Sequence, residues 1–178
     1  TFFYPGSPDP VFEDAAFQID TRWRLGLIGR NGRGKTTLLR LLMGEYPHEG
    51  TLAASESFGY FPSPVPKPER LTAEVLEDLC PDAESWRFPK ELGLLGVEEE
   101  ALWRPFSTLS GGERTKALLA ALFLQEGRFP LIDEPTNHLD AQGRELAAAY
   151  LRRQRGFLLV SHDRRFLDGC VDHILALN

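Results

Sequence analysis

Apolar and polar positions follow two rhythms along this chain, and the switches between them mark its elements. Runs that are apolar throughout, or that alternate with period two, read as strands at residues 1–6, 11–19, 25–29, 50–54, 58–61, 129–132, 157–160 and 173–177. Apolar residues three and four apart read as helices. The first follows Lys35, carries Leu38, Leu39, Leu41 and Leu42, and stops near Gly44. Residues 72–79 form the next, with Thr72 as N-cap and Val75, Leu76 and Leu79 on one face. Short helices are expected at 91–95 and 98–103, separated by Gly96. A longer one spans 111–125, offers Leu118, Leu119, Leu122 and Phe123 for burial, and ends at Gly127; 141–154 and 164–167 complete the set.

Proline divides these elements. Pro5, Pro8 and Pro10 forbid helix between the first two strands, and Pro62, Pro64, Pro66 and Pro68 end regular structure after the strand at 58–61. Beyond residue 125 strands and helices alternate, which predicts parallel strands covered on both faces. The expected fold is α/β, a mainly parallel core sheet with flanking helices, a small antiparallel β edge and a helical subdomain. A core lobe would comprise about 1–63 and 126–178, and a helical lobe about 64–125. No internal repeat or low-complexity tract interrupts this pattern.

With 178 residues, 42% hydrophobic and 26% charged, the chain can bury a core of one domain. It has nothing near the roughly 18 consecutive apolar residues of a membrane span, so a soluble chain without membrane insertion is expected. Thr1 already looks like the inside of a strand, which suggests a piece of a longer polypeptide. Cys80 and Cys170 are isolated and fit free thiols in a reducing, cytoplasmic compartment. The net charge of −6 argues against nucleic-acid binding through the overall field.

The chemistry begins where the apolar run at residues 25–29 breaks into Gly29-Arg30-Asn31-Gly32-Arg33-Gly34-Lys35-Thr36-Thr37 and opens the leucine-patterned helix. This strand, glycine turn and helix form the context of a phosphate-binding P-loop. Gly29, Gly32 and Gly34 let the backbone turn tightly and bring its N–H groups to phosphate. Lys35 would reach the β- and γ-phosphates, and the Thr36 hydroxyl would ligate Mg²⁺. Downstream, the strand at 129–132 ends in Asp133 and Glu134, on the side where a parallel sheet faces its ligand. Asp133 is placed there to hold Mg²⁺ through water, and Glu134 to orient or deprotonate an attacking water; the alternative is an acidic helix N-cap region before Pro135. Leu109-Ser110-Gly111-Gly112-Glu113 repeats the anion logic at a helix start, with a plain helix cap as the alternative. Two consecutive glycines there imply a close approach to the backbone, and a second nucleotide's γ-phosphate could make it.

Together with Ile132-Asp133-Glu134-Pro135-Thr136-Asn137-His138-Leu139-Asp140 and Val160-Ser161-His162-Asp163, these segments resemble the nucleotide-binding domain of an ABC ATPase, in the family's order and over nearly the whole chain. The resemblance implies ATP and Mg²⁺ as cofactors. It assigns Tyr4 to stack on adenine, residues 29–37 to wrap the phosphates, Thr36 and Asp133 to the metal, Glu134 as the catalytic carboxylate and His162 as the switch histidine at the γ-phosphate. Ser110, Gly111 and Gly112 would act on a partner domain's ATP, with Asp140 in the loop crossing that interface. One domain therefore holds half a site, and hydrolysis needs a second ABC ATPase domain clamped head to tail.

Asn137-His138-Leu139-Asp140 and the run from Ser161 to Asp168 are similar to the ABC-F subgroup, whose members have two tandem ATPase domains, no membrane domain, and act on ribosomes. Phe17-Gln18-Ile19-Asp20 followed by the P-loop looks more specifically like the first domain of antibiotic-resistance ABC-F proteins that protect ribosomes. The other readings are the ATP-hydrolysing subunit of a membrane transporter, and a module that holds ATP with little hydrolysis. One departure bears on the choice: Ser63 stands where most ABC domains have a glutamine that touches Mg²⁺ and couples the two lobes, which predicts weak coupling and slow turnover. Pro130 inside a strand is expected at its first position, where no ladder donor is needed. Arg128, Arg144, Arg152, Arg153 and Arg155 read as solvated charges, with contact to ribosomal RNA by the last three as the minority reading.

Overall fold

In the computed structural model, which describes residues 1–30 and 32–177, the most apolar runs of the sequence form the middle of a five-stranded, all-parallel sheet. Its order is β4 (Ser57–Phe61), β5 (Arg128–Asp133), β6 (Phe157–Val160), β3 (Arg24–Gly29) and β7 (His173–Leu177). The period-two alternation of β5 and β6 sorts their side chains into two cores. Phe129, Leu131, Leu158 and Val160 join Leu25, Leu27, Leu38 and Leu39 under α1 (Lys35–Leu42). Ile132, Phe157 and Leu159 face the other way. That second core is continuous with α4 (Gly111–Leu124), α5 (Ala141–Arg152) and α6 (Arg164–Cys170), and with the helices of residues 64–125. Those are α2 (Thr72–Leu79), α3 (Arg87–Leu94) and the short turns Glu99–Trp103 and Phe106–Thr108. From Ala117 onward α4 is apolar almost all round because it is buried there between the sheet and α2 and α3.

Several local expectations need correction. The first strands shrink to β1 (Phe2–Phe3) and β2 (Pro10–Phe12), an antiparallel pair. Residues 13–19 and 50–54 are not strands. Both segments instead line a cleft of about 1160 Å³ behind α1, floored by Leu38, Leu41, Leu42, Phe58 and Phe129. Among the described residues no neighbouring strand pairs with either, and a strand needs a ladder partner. Thr72 is not an N-cap: it is the first helical residue, fully buried, with its hydroxyl donating to Arg104 O, while the Glu74 carboxylate accepts from Leu71 N–H. α3 starts at Arg87, ahead of its expected start, because Pro89 falls in the first turn, where a missing N–H costs nothing. Pro130 is the third residue of β5, not the first; it pairs with Gly59 one position before the ladder to β6 begins at Leu131. Gly44, left-handed, stops α1 as expected, whereas α4 ends earlier than expected, at Leu124 with an extended Gln125, ahead of the left-handed Gly127. Cys80 and Cys170 are free and buried, and burial pushes their thiols up to about 11 and about 12.

Candidate functional site

Because the five strands are parallel, β3, β5 and β6 deliver their C-terminal residues to one edge, and the candidate chemistry gathers there. β3 ends at Gly29 and α1 starts at Lys35, with Gly34 as the left-handed residue between turn and helix, at φ +82°. A Cβ on Gly34 would come within 2.7 Å of Val11 Cγ1, and one on Gly29 within 2.9 Å of Leu177 O. Gly32 is also left-handed, at φ +79°. Arg30 and Arg33 are exposed at the tip; Asn31 lies outside the described residues. Lys35 is buried and donates from Nζ to Gly29 O at 2.8 Å and Arg30 O at 3.2 Å, so its ammonium sits inside the curl of the loop. The Tyr4 hydroxyl lies 2.6 Å from Thr37 Oγ1, and its ring packs edge-on against Phe2 and Tyr46.

Thr36 Oγ1 donates to Asp133 Oδ2 at 3.0 Å, joining the loop to the end of β5. A hydroxyl and a carboxylate in contact suit Mg²⁺, which takes one or two protein ligands and fills its octahedron with water and phosphate oxygens. Among the described residues no group of three or more His, Cys, Asp or Glu could hold a metal. The same Oδ2 accepts from the Tyr60 hydroxyl at 3.1 Å. Burial, with Asp133 beside it, pushes Tyr60 up to about 12, so this phenol is a donor at neutral pH. The sequence reading missed Tyr60, and no local signal marks it: Tyr60 reaches Asp133 because it pairs with Leu131, two residues before that carboxylate, in a register that only the folded sheet sets.

Among the described residues Glu134 is one of two non-glycine residues with positive φ, at +49°, a conformation that concentrates at functional sites. Its N–H donates to Val160 O at 2.9 Å, and its Oε2 accepts from His162 N–H at 3.2 Å. His162 Nε2 lies 3.1 Å from Oε1, close enough for an ion pair when the ring is protonated, yet Oε1 is buried without a hydrogen-bond partner. Burial raises the Glu134 carboxyl above its ordinary range, Asp133 adds to this, and the His162 amide and ring oppose it. A buried, unpartnered acceptor of raised basicity suits an atom that takes a hydrogen bond from water.

Ser110, Gly111, Gly112 and Asp140 do not join this group. Ser110 caps α4, accepting from Glu113 N–H at 3.2 Å while the Glu113 carboxylate accepts from Ser110 N–H at 2.7 Å. Asp140 caps α5 through Gly143 N–H at 2.7 Å. A Cβ on Gly111 or Gly112 would come within 3.3 Å of His138 Cβ or His138 O. Within the chain, His138 is the group next to both glycines. The exposed Ser110 lies at the helix start beside it. The 1160 Å³ cleft does not include the phosphate loop or the carboxylates, and its residues carry no comparable chemistry.

Residues 12–137 match the family described as ABC transporter. The chain belongs to that family. Among ABC relatives, ABC transporter F family member 5 of Arabidopsis thaliana is 34% identical over 175 residues, which cover 94% of this chain and 25% of that protein. ATP-binding cassette sub-family F member 3 of Mus musculus is 33% identical over 172 residues, 93% of this chain and 24% of that one. The chain therefore spans about a quarter of the length of these ABC-F relatives. An ATP-binding subunit of an ABC transporter superposes with a TM-score of 0.83 at 25% identity, covering 97% of this chain and 81% of that chain. An archaeal ribosome recycling factor, solved with an archaeal ribosomal stalk protein, gives a TM-score of 0.71 at 27% identity over 86% of this chain and 31% of that chain. An ATP-binding cassette in a dimeric post-hydrolysis state bound to ADP and Pi gives 0.80 at 18% identity, over 98% and 90%, a likeness of fold. Among the described residues no helix is long and apolar enough to cross a membrane.

Proposed function

We propose that this chain is the first nucleotide-binding domain of a longer ABC-F protein, that it binds Mg-ATP at the carboxyl edge of its sheet, and that it hydrolyses ATP only when clamped against a second ABC ATPase domain. The observation that carries the proposal is the meeting of the Thr36–Asp133 pair with the buried, unpartnered Glu134 Oε1 at the mouth of the phosphate loop. Lys35 exchanges the carbonyls of Gly29 and Arg30 for phosphate oxygens, and the turn glycines with Arg30, Asn31, Arg33 and Thr37 wrap them, while Tyr4 stacks on the base. Thr36 and Asp133 hold Mg²⁺, which when bound neutralises charge on the phosphates. Glu134 Oε1 accepts a hydrogen bond from the attacking water and draws off its proton, and His162 steadies Glu134 and reaches the terminal phosphate. Ser110, Gly111, Gly112 and Asp140, on the surface near His138, serve the partner domain's ATP.

The ABC-F relatives and the fold shared with a ribosome recycling factor favour a cytoplasmic protein acting on the ribosome, as a translation factor or an antibiotic-resistance protection protein. Co-sedimentation of the longer protein with ribosomes in ATP tests this. Glu134→Gln should trap the clamped state and enrich the ribosome-bound fraction; no enrichment would count against the ribosomal role. The likeness to a transporter's ATP-binding subunit favours a second reading, with membrane subunits docked on the helical lobe, where Trp86 and Trp103 are exposed. Co-purification of a membrane-spanning subunit that is lost on changing both tryptophans to Ala would select it.

A further inference from the structure

Two hydroxyls converge on Asp133 Oδ2, and only the Thr36 hydroxyl comes from the phosphate loop. The other, Tyr60, comes from β4, the strand that leads into Ser63 and the helical lobe. Ser63 does not reach the site: its Oγ donates to Tyr60 O at 2.9 Å, tying it to the backbone of its own strand. The parallel register explains why Tyr60 does reach. Tyr60 pairs with Leu131, so Asp133, two residues on, projects from the same face, the one packed by α1 with Thr36 at its start. Phe61, the next residue, points to the opposite face and packs in the second core, which the sheet shares with α4, α5, α6 and the helices of residues 64–125. β4 therefore touches that shared core with one side chain and Asp133 with its neighbour.

We propose that Tyr60 is the positioning residue of the metal site: it holds Asp133 in the orientation that takes a divalent cation, and it carries the link between helical lobe and metal that Ser63 is too short to make. The inference rests on the Mg-ATP reading above. Groups that hydrogen-bond a metal's carboxylate ligand set its orientation, and their loss typically costs about 10–100-fold in metal affinity.

The test uses Mn²⁺ as an EPR-visible stand-in for Mg²⁺, titrated into the chain saturated with ATP, beside ATP binding measured in EDTA. Tyr60→Phe should weaken Mn²⁺ about tenfold and leave metal-free ATP binding unchanged, and Ser63→Ala should change neither. Wild-type Mn²⁺ affinity in Tyr60→Phe overturns the proposal, as does an equal loss of metal-free ATP binding, which marks a merely structural role. If the wild-type chain binds no ATP with or without metal, the Mg-ATP reading itself fails. Should Tyr60→Phe not fold, 3-fluorotyrosine at position 60 of the otherwise unchanged chain should shift its fluorine resonance when Mg²⁺ joins the ATP complex, and an unmoved resonance overturns the proposal.

Discussion

Glu134 combines three properties that seldom meet without a function: a left-handed backbone on a side chain that disfavours it, a buried unpartnered oxygen, and a carboxyl raised by burial. As a base it works only ionised, so the rate of hydrolysis should rise with pH through a value above the ordinary glutamate range. Glu134→Gln should lower steady-state phosphate release at least about 100-fold while ATP binding persists. The same raised pKa has a stability consequence of definite sign. The folded chain holds this proton more tightly than the unfolded one, so Glu134 weakens the fold as pH rises through the folded value and has no such effect below the unfolded one. Glu134→Gln is uncharged throughout. Its melting temperature should equal or exceed that of the wild type at about pH 8, with the difference closing towards about pH 4. A wild type more stable at the higher pH would show that the carboxylate gains more from the His162 amide than it loses to burial.

Glycines at the element ends are not equivalent, and their surroundings predict which can be replaced. Gly156 immediately precedes β6 against Thr21, where a Cβ would come within 1.8 Å of Thr21 O while Phe157 N–H donates to Trp23 O. Backbone blocks backbone there, so Gly156→Ala should cost about 3 kcal/mol or more, read from the denaturant midpoint. Gly93, inside α3 with nothing within 4 Å of its would-be Cβ, should gain about 0.5–1 kcal/mol on change to Ala. Gly34→Ala meets a left-handed φ and the Val11 side chain together. It should lose ATP binding along with stability, since the same turn shapes the phosphate loop. At this scale the sequence was a good guide wherever an element carries its own signal. The leucines of α1, the apolar β5 and β6 and the capped α4 stand close to where their patterns placed them. It misled where pairing decides, as at residues 13–19 and 50–54, which join no ladder among the described residues.

For the whole molecule, the distribution of candidate residues has a kinetic consequence. Lys35, Thr36, Asp133, Glu134 and His162 share one edge, whereas Ser110 and Asp140 are engaged in helix caps and, among the described residues, make no bond to that edge. If the second set serves another domain's nucleotide, the isolated chain binds Mg-ATP but turns over slowly, and its rate per chain rises with concentration. Phosphate release across a dilution series checks this; brisk hydrolysis independent of concentration would refute it. Two such domains joined in one polypeptide should be faster at any dilution.

What the sequence determined by itself is what lies contiguous along the chain. The phosphate loop is nine consecutive residues whose glycines, lysine and threonines act through local backbone geometry, and a strand ending in Asp133-Glu134 announces its carboxylates wherever it sits. Tertiary structure alone decided which distant groups meet. Tyr60 reaches Asp133 only because β4 lies beside β5 in one register, and His162 meets Glu134 only because β6 lies on the other side. His138 comes up against Gly111 and Gly112 although it lies far along the chain from them. Strand order and register arise from packing many side chains into two cores at once, and no local periodicity records that choice.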